Sequence, residues 1–210
     1  MEVNEPLGVI RPTLTEPYLD QVFGEGMSEL DENRYIWLTW KDRLVNIVDR
    51  NTLKIIETFP LWDGVREGWG ITLDPLSKIL YVTDGSNTVT KVSADTLEKI
   101  GSFRVTIAGG VALAGINELE FVNGFIWATI KWYDGMVKID PSTGEVVKTV
   151  SFEVLYNAEM ALLKDQNLLE GYDHANNMCH GIAHDTVRNE FYVTGKRWNL
   201  LFKIKLHSSY

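Results

Sequence analysis

The chain has 210 residues, enough for one sizeable domain and not comfortably two. Its 45% hydrophobic and 23% charged content is ordinary for a globular protein, and no window approaches the roughly 18 apolar residues of a membrane-spanning helix. A formal net charge of -9 repels phosphate backbones, so neither nucleic acid nor a membrane is an expected partner, and the single cysteine, Cys179, excludes an internal disulfide.

Residues 1–22 form a divergent N-terminal segment with acidic residues and no apolar core of a secretory signal. With no N-x-S/T acceptor either, the compartment stays open: a cytosolic chain, or one whose leader lies outside this sequence. From about residue 23 the chain reads as short strands. The stretch 23–66 holds GEGMSEL, RYIWLTW and VNIVDRNTLKIIETF; 67–113 holds GWGITLD, KILYVTD and VTKVSADTLEKIGSF; 114–151 holds INELEFV, GFIWATI and MVKIDPSTGEVVKTVSF. Leucines and other apolar residues in FEVLYNAEMALLKDQNLLEGY then shift from period-two to near-helical spacing, which predicts a helical insertion within 152–178. It is read as a cover over one face rather than as a substrate lid. A last stretch, 179–206, holds HGIAHD and EFYVTG.

These stretches repeat. Trp37/Thr39, Tyr81/Thr83, Trp127/Thr129 and Tyr192/Thr194 recur with threonine spacings of 44, 46 and 65. The turn threonines Thr52, Thr96 and Thr143 follow at 44 and 47. Three or four short strands in about 45 residues is the content of a propeller blade. The expected fold is therefore all-β: a single β-propeller domain over 1–210 with about four blades present. A β-sandwich is the rival, and several sets of equivalent positions at one period argue against it.

A propeller gathers its innermost strands around a central channel, whose mouth is the usual ligand site. Aligning the repeats makes Glu25, Trp69, Asn117 and His180 equivalent, one per blade. Four different polar or aromatic groups at one ring point to a site rather than to scaffold repetition. Glu25 and Trp69 each sit between two glycines, which serve a tight turn or the close approach of a ligand. Lys196, just past Thr194, stands where a cation would stabilise developing negative charge. His180 and His184 are about 13 Å apart on a strand, too far to chelate one ion. No metal or organic cofactor is expected.

FGEG (23–26), LTW (38–40), EGWGITLD (67–74), TDG (83–85), INELEFVNGFIWA (116–128), VKIDPSTGEVV (137–147) and HGIAHD…FYVTGKRWNLLFKIKL (180–206) run in one order along the chain. In that order they resemble the plant- and bacterial-type glutaminyl cyclases. The resemblance implies a five-bladed propeller that converts the N-terminal glutamine of peptides or proteins to pyroglutamate and releases ammonia. A peptide-binding propeller that has lost catalysis is the alternative; a metal-dependent propeller hydrolase is a weaker one. Carried over by motif, Glu25 transfers protons while Asn117 and Lys196 polarise the substrate. Phe23, Trp40 and Trp69 form the pocket walls; His180, where the family commonly has the Asn of N-G-I-A, is read from its ring position as a further substrate contact. The family's A-N-x-W wall tryptophan corresponds in register to Lys131; Trp132, one residue later, is expected as the substrate-binding wall, across a slip that turns a strand side chain to the opposite face. The family's first blade, with F-T-Q-G-L and S-T-G-x-Y-G segments, has no counterpart here. VNEPLGVIR is the candidate for the N-terminal strand that closes the ring on the last blade. Four-bladed closure, a truncated chain, or completion by a partner or by self-association through open edges all remain open.

Overall fold

The apolar runs pair into sheets in strict chain order. The computed structural model describes residues 22–206. Its first sheet is β1 (Gly24–Glu29), β2 (Arg34–Thr39), β3 (Leu44–Asp49) and β4 (Ile55–Pro60). The second is β5 (Ile71–Asp74), β6 (Ile79–Thr83), β7 (Thr88–Ser93) and β8 (Lys99–Arg104). A small hairpin, β9 (Thr106–Ile107) and β10 (Val111–Ala112), leads to the third: β11 (Ile116–Val122), β12 (Phe125–Ile130), β13 (Tyr133–Ile139) and β14 (Val146–Ser151). After helix α1 (Glu153–Asp165) comes a three-stranded sheet, β15 (Cys179–Asp185), β16 (Glu190–Gly195) and β17 (Phe202–Ile204). All pairings within these blades are antiparallel. β1, β5, β11 and β15 touch in succession and are the innermost strands of four propeller blades. The strand pairing expected of VNEPLGVIR lies outside the described residues.

Burial follows position in the blade. The middle strands are covered on both faces, as in β3 and β12, while the outer strands β4, β8 and β14 are largely exposed. Three apolar clusters hold the blades together. One joins Ile36, Leu38 and Ile47 of the first blade to Ile71, Leu80 and Val82 of the second. Another joins Tyr81 and Val89 to Ile116, Ile126 and Val137. The last joins Trp127 and Met136 to Ile182, Phe191, Val193 and Phe202. Among the described residues no such cluster lies between the fourth blade and the first.

Helix α1 buries Leu155, Glu159 and Leu163. Leu155 joins the third cluster, and the fully buried Glu159 carboxylate accepts from the backbone N–H groups of Asn199 (2.8 Å) and Leu200 (3.1 Å). A buried carboxylate needs such partners. The helix is thus tied to the β16–β17 loop as a cover.

The repeated threonines explain how neighbouring blades are held in register. Thr83 Oγ1 accepts from the Gly70 N–H (2.9 Å) and donates to the Asn117 carbonyl (2.8 Å). One blade on, Thr129 Oγ1 accepts from the Glu118 N–H (3.2 Å) and donates to the His180 carbonyl (3.3 Å). Thr39 and Thr194 instead bond inside their own blades, to the Leu44 and Leu200 carbonyls. The glycines serve the same approach of blade to blade. A Cβ at Gly26 would lie 2.5 Å from the Trp69 carbonyl oxygen, and one at Gly70 would lie 2.1 Å from the Asn117 carbonyl oxygen. Of the two roles left open for these glycines, neither a tight turn nor access for a ligand accounts for Gly26 and Gly70; backbone crowding between blades does.

Candidate active site at the channel mouth

Inner strands run beside the channel, but a regular strand would turn successive side chains to opposite faces. In three blades the pleat is broken where the channel begins. The pairing register shifts between Gly24 and Met27, between Ile116 and Leu119, and between Cys179 and Gly181. Those irregularities contain Glu25, Asn117 with Glu118, and His180. A bulge re-aims the side chain it carries, and here it aims them inward. In the second blade Trp69 precedes β5, its N–H donating to the Thr83 carbonyl at 3.1 Å.

The result is one cavity of about 480 Å³. Phe23, Glu25, Trp40, Trp69, Asn117, His180 and Lys196 all line it. Trp132 does not. It sits in the β12–β13 turn with φ of 66° and its ring is 69% exposed. The left-handed turn throws the indole outward, and Lys131 takes the place in the cavity wall. Three further contributors escape the repeat alignment: Glu118, Lys131 and Asn176, the last from the 3₁₀ turn His174–Asn176 that follows α1; the repeated Thr194 lines the cavity as well. Helix α1 itself contributes no lining residue.

The aromatic walls are held by hydrogen bonds. Glu67 Oε2 accepts from both indoles, Trp40 Nε1 at 2.7 Å and Trp69 Nε1 at 2.9 Å. Phe23 meets Trp40 edge to face at 5.6 Å between centroids. Trp69 rests on Gly85, whose φ of +77° and lack of a Cβ leave room for the ring; a Cβ there would lie 2.5 Å from it. Glu67 was not among the expected site residues, although it precedes the G-W-G stretch directly.

Charge in the cavity is set mainly by burial. Burial pushes the Glu25 carboxyl up to about 7, against the pull of Lys196; Glu67 adds to the rise and Lys131 opposes it. Glu118 keeps some accessible surface yet lies deep in protein, and burial, with Glu120 and Glu25 nearby, raises its carboxyl well above the usual carboxylate range. His180 moves the other way: burial, then Lys196 and Lys131, lower its imidazole to about 4, so it is neutral at pH 7. Its Nε2 is buried without a hydrogen-bond partner among the described residues. The described residues contain no group of three or more histidine, cysteine or acidic side chains arranged to hold a metal ion. The cavity therefore combines a carboxyl that titrates near neutrality, a buried amide, an ammonium and an indole-lined wall. Such a set can move a proton, stabilise an oxyanion and orient a small flexible group.

Known proteins share this sequence and fold. The curated glutaminyl-peptide cyclotransferase of Arabidopsis thaliana is 29% identical over 184 residues, which is 88% of this chain and 53% of that protein. This chain thus spans about half the length of the curated relative it matches. The crystal structure of Myxococcus xanthus glutaminyl cyclase superimposes with a TM-score of 0.77 at 28% identity, over 89% of this chain and 74% of that one. A protein of unknown function from Bacteroides caccae shares the fold alone, with a TM-score of 0.53 at 10% identity. The family model described as glutamine cyclotransferase matches residues 10–206, which take in the whole of the described propeller and its cavity, and the chain belongs to that family.

Proposed function

We propose that the protein is a glutaminyl-peptide cyclotransferase acting on the N-terminal glutamine of peptides or proteins. The observation that carries this reading is Glu25: a carboxyl poised at about 7 in the same cavity as Asn117 and Lys196. Proton transfer is most efficient when the group's own affinity for the proton lies near the working pH.

In the proposed reaction the α-amine attacks the δ-carboxamide carbon of the same glutamine and forms a C–N bond. The carbonyl electrons move onto oxygen, where the Lys196 ammonium and the Asn117 amide stabilise them. Glu25 accepts the proton released by the attacking nitrogen and delivers it to the departing amide nitrogen. The old C–N bond then breaks, ammonia leaves and the lactam remains. Trp40, Trp69 and Phe23 hold the side chain curled toward its own amine, so that little rotational freedom is lost on ring closure. Neutral His180 offers its unpartnered Nε2 to the substrate.

The test is direct. A Gln-initiated peptide incubated with the protein is expected to lose the mass of one ammonia and to become resistant to N-terminal sequencing. Binding without that mass loss would leave a peptide-binding propeller in place of an enzyme.

A further inference from the structure

Each of the three aromatic walls carries a lysine ammonium on its ring. Lys41 Nζ lies 4.1 Å from the Trp40 centroid, Lys131 Nζ 5.0 Å from Trp69, and Lys196 Nζ 5.0 Å from Phe23. Two of these cations, Lys131 and Lys196, line the cavity itself, which is unexpected in a chain of net charge -9. Among the described residues none of the three has a carboxylate at ion-pair distance. The nearby acids are already engaged or buried, Glu25 among them, which both Lys196 and Lys131 draw toward its charged form while burial opposes them. Glu67 is occupied by two indoles, Asp42 accepts from the Phe23 N–H, and Glu118 is driven toward its neutral form.

Lys131 is the most constrained of the three. Its N–H donates to the Gly115 carbonyl at 2.7 Å, and its ammonium lies between Trp69 and Trp132, 4.8 Å from the latter ring. One indole belongs to the cavity and the other is exposed outside it. Lys131 therefore marks the boundary between the space for a glutaminyl residue and the space for whatever follows it in a peptide.

We infer that this rim selects peptides with an acidic residue directly after the N-terminal glutamine, and that Lys131 is the principal specificity-determining residue. The inference rests on the cyclotransferase reading for the orientation of the peptide. With the glutamine inside, its carbonyl and the next side chain leave past Lys131 and Trp132. A carboxylate there meets an ammonium that has no carboxylate at ion-pair distance; a lysine or arginine is repelled by it. Rim charges of this kind tune specificity more than they add affinity.

Peptides beginning Gln-Glu, Gln-Ala and Gln-Lys, otherwise identical, provide the test. At low salt kcat/KM from ammonia release should favour Gln-Glu over Gln-Lys by about tenfold, the size two partly exposed charge pairs supply. Lys131→Met should cut the ratio to about threefold, Lys131→Glu should remove or reverse it, and about 0.5 M salt should flatten it in the native protein. Affinities of the same peptides for the Glu25→Gln variant, read by tryptophan fluorescence, give the ranking without turnover. Turnover with equal rates on all three peptides, or a ratio unmoved by Lys131→Met, overturns the inference and spares the cyclotransferase. Acid-selective binding with no turnover by the native protein overturns the cyclotransferase and spares the rim selectivity. Neither binding nor turnover overturns both.

Discussion

The innermost strands and the strands beside them obey opposite rules. At one height the second strands of all four blades carry the same residue, Thr39, Thr83, Thr129 and Thr194. At the neighbouring height the inner strands, or in the second blade the turn leading into one, carry four different ones, Glu25, Trp69, Asn117 and His180. The threonines are buried or nearly so and are consumed by backbone hydrogen bonds, two of them between blades. The inner residues face a cavity. A propeller repeats a residue where every blade has the same mechanical need, and varies it where the blades share one space and divide the chemistry among them.

That contrast can be broken by substitution on either side. The largest expected effect is on the varied side: Glu25→Gln should lower turnover by about 10²–10⁴-fold while leaving peptide affinity within a few-fold, measured by ammonia release and fluorescence. Unchanged turnover would remove Glu25 from the chemistry. On the scaffold side Gly70→Ala should destabilise by about 3 kcal/mol or prevent folding, because its Cβ meets a neighbouring blade's carbonyl; urea unfolding reads this. Thr129→Val strands the Glu118 N–H and the His180 carbonyl and should cost about 1–3 kcal/mol. Thr39→Val, confined to one blade, should lose stability without moving kcat, whereas Thr129→Val should lower both.

The smallest effect concerns pH. Burial raises the Glu120 carboxyl to about 7, and Glu118 is raised as well, so the folded chain holds more protons than the unfolded one between the ordinary carboxylate range and about 7. Stability must then fall as pH rises through 7. His180 acts in the opposite sense, between about 4 and 6.5, so the measurement belongs above that window. Between pH 6.5 and about pH 8 the native protein should lose a few degrees of Tm, and Glu120→Gln should lose less. An equal loss in both would show that Glu120 ionises freely.

The blades were legible because their periodicity is a property of residue types: an aromatic two places before a threonine, and a turn threonine at nearly the same interval. The ring Glu25, Trp69, Asn117 and His180 followed from aligning those periods. What stayed hidden depends on geometry that no period encodes. Glu118 adjoins Asn117 and should face away from it, but the register shift in β11 brings both to the cavity. Asn176 comes from a turn beyond α1, outside every repeat. Trp132 was expected as a wall; the one-residue slip noted in the sequence ends in a left-handed turn that puts its indole in solvent. Glu67 could have been anticipated, since a carboxylate beside two tryptophans that must be held still has an obvious employment.

Among the described residues, the first and fourth blades each have an apolar neighbour on one side only. A blade packed against fewer apolar neighbours opens before a better-packed one. Glu25 stands on the first of these blades and Lys196 just past β16 on the fourth, with the Lys196 ammonium over the Phe23 ring. The two groups assigned to a single proton transfer and its oxyanion are thus expected on the parts that open first. Heating should silence turnover several degrees before the sheets of the second and third blades melt, and amide exchange should be fastest in β1 and β15 among the inner strands.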